Sequence, residues 1–328
     1  MQTVKNCLTT IFVSVCLVSV GSALAHPTAF AADAPLTPTS LRCEYLENPI
    51  GIDVTTPRFS WKVESTANGQ SQVAYRLLVA SRPDKLAAGE GDLMDSGKVE
   101  SDETLFIEYK GEPLKSRMHC YWKVAVWGQG DDGPNWSEPA HWSMGLLNDS
   151  DWTADYISYQ DDTPVSTDTK SLYLPAARQY RKDFQAEKQI TRATVYATAL
   201  GIYELHLNGK RVGDAFFAPG WTDYNQRAYY NTYDVTDMVE AGDNAIGAWV
   251  AEGWYSGYVG FGLLTGMGTE KTGRATYGKT PSVMVQLELV YSDGSTKTVV
   301  SDESWKVTGE GPIQQADLLM GDAYDARR

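Results

Sequence analysis

Apolar residues along this chain recur at every second position rather than every third or fourth. Val73, Tyr75, Leu77 and Val79 form one such run, and Cys120, Trp122, Val124 and Val126 form another. Period-two alternation puts each set on one face of a strand. Pro57, Gly69, Pro83, Gly97, Gly111 and the stretch 128–134 punctuate the runs between residues 41 and 147. Short strands separated by such turns, over about 100 residues, predict an immunoglobulin-like or fibronectin type III sandwich. Residues 86–93 are the one stretch here that reads as a helical turn.

Residues 148–177 form a connector rich in Asp, Ser, Thr and Pro. Alternation then resumes over 178–328, with strands predicted at 190–199, 202–207, 244–250, 282–291 and 296–300. Asn208-Gly209 and Asp293-Gly294 are hairpin turn signals, because both positions tolerate positive φ. Between 216 and 278 the chain is rich in Gly and Tyr and alternates less regularly. Irregular loops on a rigid sandwich are where binding sites usually form. The expected fold is all-β, a fibronectin type III/immunoglobulin-like sandwich followed by a jelly-roll-like, carbohydrate-binding-module-like β-sandwich. There is no convincing internal repeat.

The first 31 residues break the pattern. Lys5 precedes an apolar stretch at 8–20, and Ala23-Leu24-Ala25 and Ala29-Phe30-Ala31 are small-x-small cleavage candidates. This reads as a signal peptide (1–31), followed by a polar lead-in (32–40), and the expected location is secreted or periplasmic. The apolar stretch is short for a membrane span, so no membrane association is expected after cleavage. Cys7 and Cys16 fall in the leader, leaving Cys43 and Cys120. Export permits a disulfide between them, but two buried thiols are equally compatible, and sequence leaves both open.

The formal charge of −14 changes the functional picture. An acidic surface repels nucleic acid and anionic lipid, and no basic cluster interleaved with aromatics offsets it. His119, His141 and His206 lack zinc-ligand spacing. The Gly-rich stretch 260–268 lacks the strand–helix context of a phosphate-binding loop. No cofactor is required by any motif. Calcium is the one ion the loops would suit, with Asp214, Asp243 and Asn244 as oxygen donors, although no EF-hand spacing occurs.

Ordered motifs give a sharper reading. The first region carries Asn48-Pro49-Ile50-Gly51-Ile52-Asp53, Pro57-Arg58-Phe59-Ser60-Trp61, Asp95-Ser96-Gly97-Lys98-Val99, Tyr121-Trp122-Lys123-Val124 and Trp142-Ser143-Met144-Gly145. The second carries Leu207-Asn208-Gly209-Lys210, Ala218-Pro219-Gly220-Trp221-Thr222-Asp223-Tyr224, Gly253-Trp254-Tyr255-Ser256-Gly257 and Gly321-Asp322-Ala323-Tyr324. This series resembles the N-terminal fibronectin-like domain and the N-terminal β-sandwich of bacterial α-L-rhamnosidases of glycoside hydrolase family 78. The one departure is Asp322, where the family usually has Glu. The resemblance implies a role in recognising a rhamnose-containing glycan or glycoside. In that family a further sandwich and an (α/α)6 barrel follow, and the barrel supplies the acid and base of an inverting hydrolysis. No part of this chain has the amphipathic helices of a barrel, so the catalytic domain is expected to be missing and would be a partner if the gene is split.

The residues themselves support a modest chemistry. Inverting hydrolysis needs two carboxylates roughly 6.5–9.5 Å apart across a sugar. Asp223, Asp234, Glu252, Asp322 and Asp325 stand in loop-like places, where turn formation and capping are the ordinary roles of a carboxylate, and none is assigned as catalytic. Sugar binding needs aromatic faces for C–H surfaces and polar side chains for hydroxyls. Trp221, Tyr224, Trp254 and Tyr255, with Asn208, Asp214 and Asp223, are the candidate substrate-binding residues. The same motifs would equally serve packing between domains. Two functional readings follow, an accessory and substrate-recognition part of a rhamnosidase and a stand-alone secreted carbohydrate-binding protein.

Overall fold

The computed structural model describes residues 35–130, 133–159, 172–260, 262, 266, 268 and 272–328. The expected leader, with Cys7 and Cys16, lies outside them, as do residues 32–34 of the lead-in and residues 160–171 of the connector. Among the described residues, strands dominate, helical elements such as Pro83–Ala87 and Gly253–Ser256 are short, and no helix is long and apolar enough to cross a membrane.

The first domain is a two-sheet sandwich. Thr37–Cys43, Arg58–Glu64 and Ile107–Glu108 make one antiparallel sheet. Met94–Asp95, Gln72–Ala80, His119–Gly128 and Asn135–Trp136 make the other, with Ala140–Ser143 also paired to His119–Gly128. The facing side chains are large: Phe59, Trp61, Trp122 and Trp142 are all but fully buried. Phe59 packs against Trp122 and Trp142, with ring centroids 4.6 and 5.3 Å apart. Trp61 also donates from Nε1 to Gln72 Oε1 at 2.9 Å, which satisfies the polar edge of a buried indole. Cys43 and Cys120 lie in this core as free, buried thiols, so of the two alternatives the structure has the unbridged one. Burial pushes both thiols up to about 12, which leaves them protonated and unreactive at neutral pH.

Two local readings are corrected. Val73 does not share the buried face of Tyr75, Leu77 and Val79; it is exposed, because the pairing with His119–Gly128 shifts register between Gln72 and Ala74. One extra residue moves the side chain to the other face. The helical turn spans Pro83–Ala87 rather than 86–93. Pro83 supplies the preset φ at its start and Leu86 is its buried anchor.

The second domain is a sandwich of two antiparallel sheets. One runs, in spatial order, Lys210–Arg211, Ile202–Leu207, Gly242–Ala251, Arg178–Ala186 and Lys306–Thr308. The other runs Asn231–Asp234, Ile190–Leu200, Ser282–Tyr291 and Thr296–Val300. Val195, Ala197, Leu205, Leu207, Ile246, Val250, Val285 and Leu287 fill the space between them. The Asn208-Gly209 turn has positive φ at both residues, as expected. At Asp293-Gly294 only Gly294 is left-handed, and Asp293 instead accepts hydrogen bonds from the amide and hydroxyl of Ser295. A short hairpin, Ile313–Asp317 with Gly321–Tyr324, follows near the C-terminus.

The connector is partly structured. Asn148 and Asp151 cap each other's backbone around the 3-10 turn Asp149–Asp151, and Ile157–Ser158 adds a strand to Ser282–Tyr291. At this junction Arg117, from the first domain, donates from Nε to both carboxylate oxygens of Glu288 at 2.8 Å. Its Nη1 and Nη2 donate to Asp151 Oδ1 and to the Asp151 carbonyl, each at 2.8 Å. Gln286 completes the joint, donating to the Asp151 carbonyl and accepting from the Thr153 amide. The Leu146 amide donates to the Tyr230 hydroxyl at 2.9 Å, and the Trp152 ring stands edge-on to Tyr230. Gly51, left-handed at φ +71°, lies so close to Thr232 that any Cβ would overlap its side chain.

Two consequences can be measured. Trp122→Ala, which opens a cavity in the first core, is expected to lower unfolding stability by about 3–5 kcal/mol in urea titrations. The joint should also lose stability in two acid phases. Burial pushes His119 down to about 4, so the unfolded chain takes up that proton first and stability falls as pH drops below about 6.5. For Asp151, burial pushes upward, but hydrogen bonds from Ser116, Asn148 and Arg117 outweigh it and hold the carboxyl at about 2. Its contribution is complete above about pH 4 and is lost as pH falls toward 2. His119→Gln should remove the upper phase, and Asp151→Asn should shrink the lower one, to which other carboxyls held low, such as Asp92, also contribute; a stability profile unchanged in both variants would refute the assignment.

Candidate functional site

The loops of the second domain hold most of the candidate residues, and they fall into three groups. The first is structural. Asn208 donates from Nδ2 to the Met238 carbonyl and to Asn244 Oδ1, and its Oδ1 accepts from the Ala245 amide. Asn244 in turn accepts from the Glu240 amide and donates to the carbonyls of Glu240 and Gly242. Half-buried Asn208 and buried Asn244 tie adjacent hairpins together, so the hydrogen bonds of Asn208 point into the protein. Asp223 caps its own turn, accepting from the Asn225 amide at 3.1 Å and from Gln226 Nε2 at 3.0 Å. Asp214 is exposed.

The second group is aromatic. Trp221 and Trp254 lie parallel, 2° from coplanar orientation, with ring centroids 6.0 Å apart. Phe217 stands edge-on to Trp254 at the same separation. Trp221 is 56% exposed, Phe217 55% and Phe216 78%. Tyr224 instead packs into a separate cluster, edge-on to Tyr255 at 5.4 Å and to Tyr277 at 5.1 Å. Burial there pushes the Tyr224 phenol up to about 12. The structure therefore splits the four predicted aromatic residues into two pairs, Trp221 with Trp254 and Tyr224 with Tyr255.

The turn Gly253–Ser256 carries Trp254 and Tyr255. Gly253 sits at φ +52° against Ile202, where a side chain would collide. Beneath the turn Glu252, read from sequence as a loop-like carboxylate, is 2% exposed. It is ion-paired with Arg178 at 3.5 Å and with Arg274, both themselves buried. Arg274 also stacks on Tyr173, 4.4 Å from the ring centroid, and burial lowers its guanidinium to about 10. Such a network is costly to break because each charge would be left unpaired in a dry site. It holds the turn in place and gives Glu252 no access to a substrate.

The third group was not anticipated. Between the outer face of the sheet that contains Ile202–Leu207 and the C-terminal hairpin lies a cleft of about 410 Å3. Glu204, Arg211, Phe216, Phe217, Asp317 and Asp322 line it, with Trp249 and others. Glu204 is ion-paired with Arg211 and hydrogen-bonded to His206, each at 2.8 Å. Arg211 lies under the Phe216 ring, 4.8 Å from its centroid. The signal available in the sequence was Phe216-Phe217, two adjacent bulky rings that an alternating strand cannot both bury. Asp317 is committed to backbone, accepting from the amides of Tyr258, Leu319 and Met320. Asp234 and Asp325 likewise serve local turns, with Thr236 and Arg327. Among the described residues no three His, Cys, Asp or Glu side chains gather as a metal site. The candidate calcium donors are dispersed in function: Asn244 is enclosed as above, and Asp243 pairs with Gln185.

Two family models match the chain. Residues 38–148 match the Rha78A-like N-terminal immunoglobulin domain, and residues 188–328 match the alpha-L-rhamnosidase N-terminal domain. The second sandwich extends slightly further than its match, since Arg178–Ala186 is a central strand of it. An alpha-L-rhamnosidase of Formosa agariphila is 37% identical over 283 residues, covering 86% of this chain and 30% of its own length. The crystal structure of the Streptomyces avermitilis alpha-L-rhamnosidase complexed with L-rhamnose superposes with a TM-score of 0.77 at 28% identity, over 89% of this chain and 43% of that one. The alpha-L-rhamnosidase structure from Dictyoglumus thermophilum gives 0.73 at 35% identity, over 89% and 32%. The chain thus spans about 30% of the length of the curated relative it matches. Domain by domain, the chain matches the N-terminal families of the α-L-rhamnosidases, the immunoglobulin-like domain first and the rhamnosidase β-sandwich second.

Proposed function

We propose that this chain works as the exported, non-catalytic front portion of an α-L-rhamnosidase and contributes to recognition of a rhamnose-containing glycoside. The observation that carries the reading is the pair of N-terminal family domains in order, on a chain that aligns with about 30% of its relative. The Streptomyces relative was crystallised with L-rhamnose, which supports rhamnosides as the sugar class. The first domain, clamped to the second through Arg117, acts as a rigid support. The second presents exposed aromatic rings, the side-chain chemistry that a deoxy sugar with an apolar methyl face requires.

The carboxylates support a non-catalytic role. A general acid for glycoside hydrolysis needs a pKa raised toward neutrality. Every described carboxyl with a resolved shift moves the other way, as at Asp151, Asp293 and Asp302, under hydrogen bonds from hydroxyls, amides or cations. Glu252 is enclosed by two arginines, and Asp223 caps a turn.

Purified protein incubated with a chromogenic α-L-rhamnoside should show no turnover above a blank from the same host. Turnover that disappears in Glu204→Gln or Asp322→Asn would overturn the non-catalytic reading. Titration calorimetry with L-rhamnose, with and without calcium, should show saturable binding in the millimolar range. Absence of heat from folded protein in both conditions would remove recognition and leave support as the role.

A further inference from the structure

The residues that sequence singles out for sugar contact do not line the cleft under the C-terminal hairpin of the second domain. The cleft under the C-terminal hairpin does not contain Asn208, Asp214, Trp221, Asp223, Tyr224, Trp254 or Tyr255. Its chemistry nevertheless suits a saccharide. On one wall Phe216 and Phe217 expose most of their ring surface to solvent. An isolated exposed Phe is unremarkable, but two adjacent ones at a concave rim expose apolar faces that burial elsewhere would have covered. Beside them Glu204 and Arg211 form an ion pair between adjacent strands, each already held by a second group. His206, with its proton on Nε2, donates to one oxygen of Glu204, and Arg211 Nη2 donates to the Ala215 carbonyl at 2.7 Å. Their positions are thus fixed before any ligand arrives, and a carboxylate with two partners still has lone pairs for hydroxyl donors. A guanidinium keeps further N–H groups for ring or hydroxyl oxygens.

We propose that this cleft is a saccharide-binding subsite for a neutral pyranoside. The sugar's C–H face would lie on Phe216 and Phe217, and its hydroxyls would bond to the Glu204–Arg211 pair. Phe217 is edge-on to Trp254, which is parallel to the exposed Trp221, so the aromatic surface continues from the cleft to the tryptophan pair. The volume of about 410 Å3 falls within the range of small-ligand sites, about 300–1,000 Å3. Charge selects among sugars. Three carboxylates, Glu204, Asp317 and Asp322, line the cleft against the guanidinium of Arg211. That balance disfavours uronates and sulfated sugars and favours uncharged ones.

The inference rests on the recognition role proposed above, and the test separates the two. Wild-type protein, Phe216→Ala, Glu204→Gln and the opposite-sheet control Lys297→Ala are titrated with methyl α-L-rhamnoside, and wild type also with glucuronate. Tryptophan fluorescence and calorimetry report binding, and circular dichroism confirms that each variant is folded. The expected result is saturable binding of the rhamnoside, weakened about 5- to 10-fold in each of the first two variants and unchanged in the control. Glucuronate should bind far more weakly or not at all. Rhamnoside binding that survives intact in both Phe216→Ala and Glu204→Gln places the sugar elsewhere and overturns the cleft alone. Glucuronate binding as tight as the rhamnoside overturns the charge argument. No binding of either sugar by wild type overturns both the cleft and the recognition role.

Discussion

One guanidinium joins the two halves of this molecule. Arg117 leaves the first sandwich at the start of a core strand and meets three acceptors that belong to the connector and to the second sandwich. A single arginine can do this because its planar fork donates in several fixed directions at once. The half-exposed setting limits the Coulomb gain from each ion pair. What matters more is geometry: Glu288 and the Asp151 carbonyl must both be in register for all the donors to be satisfied. Gln286 and the Tyr230–Leu146 contact reinforce the same alignment. The second sandwich therefore presents its loops from a body about twice its own size, and a binding surface on those loops gains from not swinging freely.

Much of this architecture was legible in the chain. Strands 202–207, 282–291 and 296–300 have the bounds that alternation implies, because each has one face on a core. Asn208-Gly209 was readable for a backbone reason, since both residues adopt left-handed φ. Where the pattern failed, an interaction outside the local segment decided the outcome. Val73 alternates correctly with its neighbours, yet a bulge set by pairing with a distant strand turns it outward. The connector looked irregular, but a self-capped turn and a two-residue strand organise it, and the strand's partners are more than a hundred residues away.

The binding surface was less legible, and the reason is chemical. Asn, Asp, Trp and Tyr near one another in a loop look like sugar-binding residues whether they face ligand or hold the loop together. In the fold, Asn208 and Asp223 spend their hydrogen bonds on backbone and neighbouring amides. Glu252 is consumed by two buried arginines whose positions, 178 and 274, lie on either side of it in sequence. The cleft is formed by residues drawn from strands, a loop and a terminal hairpin, and no window of sequence contains them together. Only the Phe216-Phe217 pair carried a local sign of it.

The two-residue strand Ile157–Ser158 has a consequence for the behaviour of the chain among its copies. Thr296–Val300 pairs with the Gln286–Val290 part of its neighbour, which would leave the first residues of Ser282–Tyr291 with unpaired amides and carbonyls. The connector strand pairs at Ser282 and Val283. An open strand edge is a template on which another molecule can add its own strand. By laying its own backbone there, the connector closes part of that edge and serves as a guard against self-association as well as a link between domains.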